Sequence, residues 1–264
     1  MLFSLITTQI MFKIKPLKQA EVKVPLGIVA MLADMRYIVS GPVYVWLISD
    51  GEKKILVDAG IKESEKNSKD LGELKLRDAL SGANVKPEEI ETLILTHLHF
   101  DHVAYATLFE NARIFIQREE WRSAMDPPPH YRGIYLPEFY LPLEDLDLCL
   151  VRGDRKICEG IDLVSLPGHT KGSQGVLVKT NGGDYLIAGD QFYSYINLFP
   201  KRVREFRDPE GIKLMPDLNI PFHPPGFHVD LSDWFESCFK ALSLVKKDRV
   251  LPGHEPSLEG REFG

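Results

Sequence analysis

The sequence predicts a mixed α/β fold in which strands dominate and fall into two groups along the chain. Short runs rich in β-branched, aliphatic and aromatic residues recur in both halves, as is typical of strands. Few segments place apolar residues at helical spacing, and the longest of these is 230–247. Because no linker or internal repeat separates the two groups, we expect a single domain over residues 1–264.

In the first half, short apolar runs follow one another closely. The turn Asp50-Gly51 predicts that the runs on either side of it pair as antiparallel neighbours. Leucines at helical spacing predict a helix within 71–83, and Pro87 marks the start of a short helical turn. Threonines flank the apolar run 92–96, which is typical of a strand buried on both faces. The strands predicted here are 12–24, 42–48, 54–58, 92–96 and 114–117.

The second half repeats this pattern and adds two irregular stretches. A short helix at 119–125 is ended by three consecutive prolines, and the long helix begins at Asp230 or Ser232 as its cap. The stretches 126–142 and 192–227 are rich in proline and aromatic residues, and loops of this length predict lids or binding loops. The strands predicted here are 163–166, 175–179, 185–188 and 250–251.

Composition indicates an ordinary globular protein. The net charge of −6 gives no basic face that would favour a nucleic-acid partner. The three cysteines are odd in number and form no C-x-x-C pair, so we expect reduced thiols and a cytoplasmic location. The apolar start, residues 1–12, lacks a basic region and a small-residue cleavage site, and it is too short to span a membrane.

The strongest functional signal is Thr96-His97-Leu98-His99-Phe100-Asp101-His102, which directly follows the buried strand. Three imidazoles and a carboxylate in six residues are too costly to bury as ordinary core side chains. Imidazole nitrogen and carboxylate oxygen are ligands that zinc-like ions prefer. In an extended segment His97 and His99 point to the same side and can share one metal, so Asp101 and His102 are expected to turn toward another.

Three further residues follow predicted strand ends in the same way. His169 and His254 each come after Pro-Gly, and Asp190 ends an apolar strand. Each of them alone would be interpreted as a turn residue, but beside the six-residue cluster we expect all three to be metal ligands. The remaining loop histidines are expected to make no metal contact; they are His130, His223 and His228.

The order of these seven residues resembles the metallo-β-lactamase superfamily. The resemblance implies an αββα sandwich, in which two packed sheets have helices outside. It implies that one metal is held by His97, His99 and His169, the other by Asp101, His102 and His254, and that Asp190 bridges the two. It also implies that Asp58 supports the site from behind the ligands. We expect two Zn²⁺ ions, although a site with nitrogen and oxygen ligands also accepts Mn, Fe or Co.

Within the superfamily, the chain resembles the N-acyl homoserine lactone lactonases. The carriers of this resemblance are Phe100 inside the metal motif, the segment 115–121, and Tyr193 three residues after Asp190. The chain departs from the pattern at 103–105 and at Ser173, where many relatives have Ala-Gly-Gly and a second histidine. Phe100 is expected either to line the ring pocket or to pack beneath the motif. The expected ligand is a small-molecule lactone, and a homodimer is a possible assembly.

The resemblance implies hydrolysis by a hydroxide that bridges the two metals. Tyr193 would polarise the lactone carbonyl, and Asp101 would carry the proton to the leaving oxygen. Packing in a lid is the other interpretation of Tyr193. One alternative function is a thioesterase of the glyoxalase II kind, although the C-terminal helical domain usual there has no counterpart in this sequence. The other is a metal-binding protein without catalysis.

Overall fold

The computed structural model describes residues 11–62, 76–203, 207, 209–216 and 218–264. Most of the apolar start and the first part of the helix predicted within 71–83 lie outside the described residues. Within the described ranges, no helix is long and apolar enough to cross a membrane. The three cysteines of the sequence are free thiols.

Eleven strands form two sheets in the described part of the chain. In the first sheet β1, β2 and β3 are antiparallel neighbours, and β3 to β6 run parallel. In the second, neighbours are antiparallel except for the parallel pair β10 and β11. The first sheet has the order β1 (Lys13–Pro25), β2 (Ile38–Ser49), β3 (Lys54–Val57), β4 (Thr92–Ile94), β5 (Arg113–Gln117), β6 (Leu148–Val151). The second has the order β11 (Val250–Leu251), β10 (Tyr185–Ile187), β9 (Gln174–Val178), β8 (Ile161–Ser165), β7 (Arg155–Cys158).

Most helices are short and lie in the connections. The two stretches predicted to be irregular contain a few short helical turns, and the described residues between 207 and 227 form neither a helix nor a strand, as predicted. The helices are α1 (Leu26–Val29), α2 (Leu76–Gly82), α3 (Phe100–Val103), α4 (Arg118–Met125), α5 (Pro137–Tyr140), α6 (Tyr195–Leu198), α7 (Pro200–Val203) and α8 (Leu231–Leu244). The 3₁₀ turns are Pro87–Glu89, Ala106–Leu108, Pro129–Tyr131, Leu141–Asp145, Gly189–Gln191, Lys247–Arg249 and Pro256–Leu258.

The two sheets pack face to face. Because successive side chains of a strand point to opposite faces, each strand of the first sheet contributes to the core between the sheets and to the layer outside it. On β2, Trp46 and Ile48 lie in the core between the sheets, whereas Val45 and Leu47 pack toward α2 and the turns outside the first sheet. On the far side of the second sheet, buried side chains pack against α8. The layers are therefore helix, sheet, sheet, helix, and the predicted αββα fold is confirmed.

Helix α8 follows the prediction with two differences, of which the first is that it ends at Leu244 rather than at residue 247. Its N-cap is Asp230, whose carboxylate accepts a hydrogen bond from the main-chain nitrogen of Asp233 at 2.9 Å. The spacing of the apolar residues Leu231, Trp234, Phe235, Phe239, Leu242 and Val245 predicts one buried face, but Phe239 is 58% exposed, while Cys238 beside it is buried. The interior space over the second sheet is filled by Trp234 and Phe222, so the small cysteine faces inward and Phe239 contacts the edge of Phe222.

The strand ends explain why distant residues meet. β3 and β4 run parallel, so Asp58 and the motif that begins at His97 emerge at the same edge of the first sheet. In the second sheet β8, β10 and β11 share one direction, and their ends lead into His169, Asp190 and His254. The fold thus delivers ligand-bearing turns from both sheets to one cleft, as carboxyl-end sites of α/β folds do.

The core between the sheets gives a stability prediction. Leu163 on β8 is fully buried there, so Leu163→Ala should lower the free energy of unfolding by about 2–5 kcal/mol through lost burial and a cavity. Leu244, at the end of α8 and 40% exposed, provides the matched control, and Leu244→Ala should cost less than about 1 kcal/mol. Denaturant unfolding curves measure both values. Equal costs for the two variants would contradict the packing described here.

Candidate metal centre

Three imidazoles converge at the first part of the cleft. The candidate ligand atoms of His97, His99 and His169 lie within 4.8 Å of one another, and all three residues are buried. Nε2 of His169 is 3.2 Å from Nε2 of His97 and 3.0 Å from Nδ1 of His99. Nitrogens this close cannot all carry protons, so lone pairs point into a common space.

The second group consists of Asp101, His102, Asp190 and His254, whose candidate ligand atoms also lie within 4.8 Å of one another. Oδ1 of Asp190 is 3.0 Å from Nε2 of His254 and 3.4 Å from Nε2 of His102. Oδ2 of the same carboxylate is 3.6 Å from Nε2 of His169, which belongs to the first group. Asp190 therefore faces both groups at once.

The donor set fits divalent cations. Among the described side chains, Nε2 of His102 and Oδ1 of Asp190 are buried polar atoms with no hydrogen-bond partner, although they lie 3.4 Å apart. Such orphaned atoms are costly in a folded protein unless an ion or a water satisfies them. All donors in both groups are nitrogen or oxygen, which suits zinc and its first-row neighbours.

The protonation of the two groups differs. Burial holds the pKa of His97, His99 and His169 below the usual value, so these imidazoles are neutral and can donate lone pairs. Burial is the largest single influence on His102 and His254 and acts in the same direction, but the nearby carboxylates of Asp190 and Asp101, with Asp58 beside His102, together outweigh it and raise the pKa of both imidazoles. Burial opposes ionisation of Asp190, yet these two imidazoles lower the pKa of its carboxyl well below the usual value.

Hydrogen bonds behind the ligands fix the ring orientations. Asp58 accepts hydrogen bonds from the main-chain nitrogen of Thr96 at 2.7 Å and from its hydroxyl at 2.9 Å. The second oxygen of Asp58 is also 2.8 Å from Nδ1 of His102, and the Thr96 hydroxyl is 3.0 Å from Nδ1 of His97. These partners leave Nε2 of both imidazoles free to face the cleft.

Main-chain carbonyls do the same for the two Pro-Gly-His turns. Nδ1 of His169 is 3.2 Å from the carbonyl oxygen of Phe227, and Nδ1 of His254 is 2.8 Å from that of Pro42. The preceding glycines are needed for different reasons. Gly168 has a φ of 134°, which L side chains rarely adopt, whereas a Cβ on Gly253 would lie 2.6 Å from Oδ1 of Asp190.

Two of the three loop histidines expected to make no metal contact bond main-chain carbonyls, and the side chain of the third, His130, lies outside the part of the chain that the structure describes. Nε2 of His223 is 2.9 Å from the carbonyl oxygen of Met31, and Nδ1 of His228 is 2.8 Å from that of Pro225. Phe100 packs against Ala20, Val43 and Ile61 beneath the motif. Ser173, where many relatives have a histidine, donates a hydrogen bond to the carbonyl of Leu166 and so closes the His169 turn.

Tyr193 lies at the centre of the cleft. Its ring centroid is 5.5 Å from the rings of both His169 and His254. Burial and the carboxylates of Asp190 and Asp101 raise the pKa of its hydroxyl well above the usual value, so the hydroxyl keeps its proton and can donate a hydrogen bond.

An apolar cavity of about 330 Å³ opens beside this tyrosine. Asp101, Tyr193 and His254 form its floor. Its walls are mostly hydrophobic and come largely from β1, α1, β2 and α6. They include Val22, Val24, Val29, Val39 and Ile196, with Ser40, Ser194 and Glu255 as polar members. The sequence prediction missed these walls. The alternation of Val22 and Val24 on β1 was the available signal, but it does not show which face meets the site.

The sequence analysis did not identify Glu120 as a functional residue. It lies at the start of α4, is fully buried, and accepts hydrogen bonds from the two turns that carry His97, His99 and His169. Burial raises the pKa of its carboxyl, and the donors around it act in the opposite direction. A buried acid with several donors is held by its surroundings rather than by solvent.

Comparison with known proteins supplies a family. Residues 39–254 match the family model of the metallo-beta-lactamase superfamily. An N-acyl homoserine lactonase of Bacillus cereus is 33% identical over 230 residues, covering 81% of this chain and 81% of that protein.

Solved structures share the fold. A quorum-quenching N-acyl homoserine lactone lactonase superposes with a TM-score of 0.72 at 24% identity and covers 94% of both chains. A probable metal-dependent hydrolase of Staphylococcus aureus has a TM-score of 0.75 at 20% identity, covering 92% of this chain and 89% of that one.

The contact between Gly253 and Asp190 gives a prediction. Gly253→Ala should push the Asp190 carboxylate out of place and lower the metal content, because the new Cβ would lie 2.6 Å from Oδ1. Gly133→Ala is the matched control, since a Cβ there meets no atom within 4 Å. Elemental analysis of both purified variants is the measurement. Full metal content in Gly253→Ala would show that Asp190 is not held in this position.

Proposed function

Because the chain belongs to the metallo-β-lactamase superfamily, we propose that it is a dinuclear metal-dependent hydrolase that opens N-acyl homoserine lactones or related lactones. The observation that carries this substrate class is the apolar cavity beside Tyr193. An uncharged acyl chain gains free energy by leaving water for such walls, roughly 0.8 kcal/mol for each buried CH₂ group. The anionic peptide of a glutathione thioester would lose hydration there without meeting a lysine or arginine among the lining residues.

The proposal assigns the two ligand groups to two cations, zinc by default. One would be held by His97, His99 and His169, the other by Asp101, His102 and His254, with the Asp190 carboxylate shared between them. Bound divalent cations supply Lewis acidity and activate water for attack near neutral pH. The distances from Asp190 to nitrogens of both groups support its shared role.

The chain's own residues then bind and orient the substrate. The acyl chain lies against the valines of the cavity, which turns the lactone ring toward Tyr193 and Asp101. The Tyr193 hydroxyl donates a hydrogen bond to the carbonyl oxygen as negative charge develops on it. A water oxygen bonds to the carbonyl carbon, the bond from that carbon to the ring oxygen breaks, and Asp101 passes the proton to the released oxygen. The product is an open-chain hydroxy acid.

The biological role follows from the substrate class. Hydrolysis of a signalling lactone by this chain would be quorum quenching. We assign residues 1–264 to one hydrolase domain that works in the cytoplasm, which the three free thiols support. A homodimer remains compatible with this role, since cavity and ligands all come from one chain.

A substrate panel tests the proposal. Purified protein should contain two metal ions per chain by elemental analysis and should hydrolyse acyl homoserine lactones faster than glutathione thioesters or phosphodiesters. Lactones with a longer acyl chain should have a lower KM than the unsubstituted ring, because the chain fills the apolar cavity. Preference for the thioester would replace the lactonase by the thioesterase alternative. Full metal content without hydrolysis of any substrate in the panel would favour the other alternative, a metal-binding protein without catalysis.

Tyr193 gives a second test. Tyr193→Phe should lower kcat on a lactone by about 10- to 100-fold with metal content unchanged, because one of the groups that stabilise the oxyanion is lost. His169→Ala should lose both metal and activity. Tyr195→Phe is the matched control, since its hydroxyl faces the carbonyl of Val250 at 3.4 Å. Unchanged kcat and KM in Tyr193→Phe would show that this residue only packs in a lid and has no catalytic role.

A further inference from the structure

Glu120 is a buried acid that the proposed reaction does not use. It is 0% exposed, and its carboxylate accepts four hydrogen bonds. Oε1 accepts from the main-chain nitrogen of Leu98 at 3.0 Å and from the hydroxyl of Tyr135 at 3.0 Å. Oε2 accepts from the hydroxyl of Thr170 at 2.5 Å and from the main-chain nitrogen of Gly172 at 3.2 Å.

The partners of Glu120 belong to the turns of the three-histidine group. Leu98 stands between His97 and His99 in the chain, and Thr170 follows His169. One carboxylate thus joins the turn that leaves the first sheet to the turn that leaves the second. Tyr135 adds a link to the ring of His99, since the two ring centroids are 4.9 Å apart.

We infer that Glu120 is the positioning residue of the three-histidine metal site, which it holds in register by bridging the two turns. This inference rests on the metal site of the proposed function. The contacts explain why Glu120 acts on this metal site and not on the other one. Within the described residues, the hydrogen bonds of Glu120 reach neither Asp190 nor His254, and His102 is held separately by Asp58.

Both carboxylate oxygens of Glu120 are required as hydrogen-bond acceptors, in addition to the shape of the side chain. Each oxygen faces one main-chain N–H that cannot rotate away, Leu98 on one side and Gly172 on the other. In Glu120→Gln the amide NH₂ must therefore point at one of these donors in either orientation. One turn loses its acceptor and is repelled, although the side chain keeps its volume.

The test measures zinc retention by the full-length, zinc-loaded protein during a titration with a chelator of known affinity. Wild type should release two zinc ions per chain. Glu120→Gln should retain one ion with wild-type affinity and bind the other 10- to 100-fold more weakly, the range expected for residues that orient metal ligands. Adding Glu120→Gln to His169→Ala should change zinc affinity little further, because both act on the same site. Adding it to His254→Ala should weaken both sites.

Gln117→Leu is the matched control. Gln117 is buried on β5, three residues before Glu120, and bonds Gly153 and Gln174 rather than a ligand-bearing turn. Its variant should lower the thermal stability of the metal-free protein as Glu120→Gln does, yet keep both zinc affinities. If Glu120→Gln does not fold, Thr170→Val should produce the same one-site loss at smaller amplitude.

The outcomes separate the two proposals. Equal weakening of both zinc sites, or none, in Glu120→Gln and Thr170→Val would overturn the positioning role while the metal centre stands. Weakening by Gln117→Leu to the same extent would reduce Glu120 to general support of the fold. Wild type that binds fewer than two zinc ions would overturn the metal centre and this inference together.

Discussion

The arrangement of the cleft depends on one constraint: imidazole nitrogens and carboxylate oxygens with unshared electron pairs must be held close together in the protein interior. Imidazoles and carboxylates from both sheets converge in one buried cleft, where unsatisfied polar atoms are costly. The surroundings restrain them with hydrogen bonds from behind. Asp58 and Thr96 orient two rings, and the carbonyls of Phe227 and Pro42 orient two more. Asp58 itself has a φ of 63°, an uncommon backbone conformation that these bonds compensate.

The same connections that complete the metal centre also shape the cavity. The stretch 126–142 packs Tyr131 and Tyr135 against the ring of His99. The stretch 192–227 contributes Tyr193 to the cleft and Ile196 to the cavity wall, and it ends at the carbonyl that orients His169. A change of length in either stretch would therefore alter ligand geometry as well as the space for substrate.

Local chemistry made much of this molecule predictable. Strands buried on both faces are continuous apolar runs, so the sequence predicts them. The metal motif was predictable because it places several polar and ionisable residues together that are costly to bury in an ordinary core. The features that the sequence did not predict depend on where a residue lies in the fold rather than on its type. Arg155 and Lys156 make up half of β7 at the edge of its sheet, so it lacks an apolar run; β6 (Leu148–Val151) was also not predicted, although it is apolar. Glu119 and Glu120 are neighbours of one type, yet only the second is buried. The cavity valines come from β1, α1 and β2, and only the folded arrangement of these elements brings them together.

The division of ligands between the sheets has a consequence for turnover of the protein itself. His97, His99, Asp101 and His102 follow a strand of the first sheet, whereas His169, Asp190 and His254 follow strands of the second. A cation pair held between them would be a reversible cross-link that closes long stretches of the polypeptide. Ligands that bind only the folded state stabilise it in proportion to the logarithm of their free concentration. Starvation for metal would therefore both silence such a chain and expose it to proteolysis, so its abundance would follow the cell's metal supply.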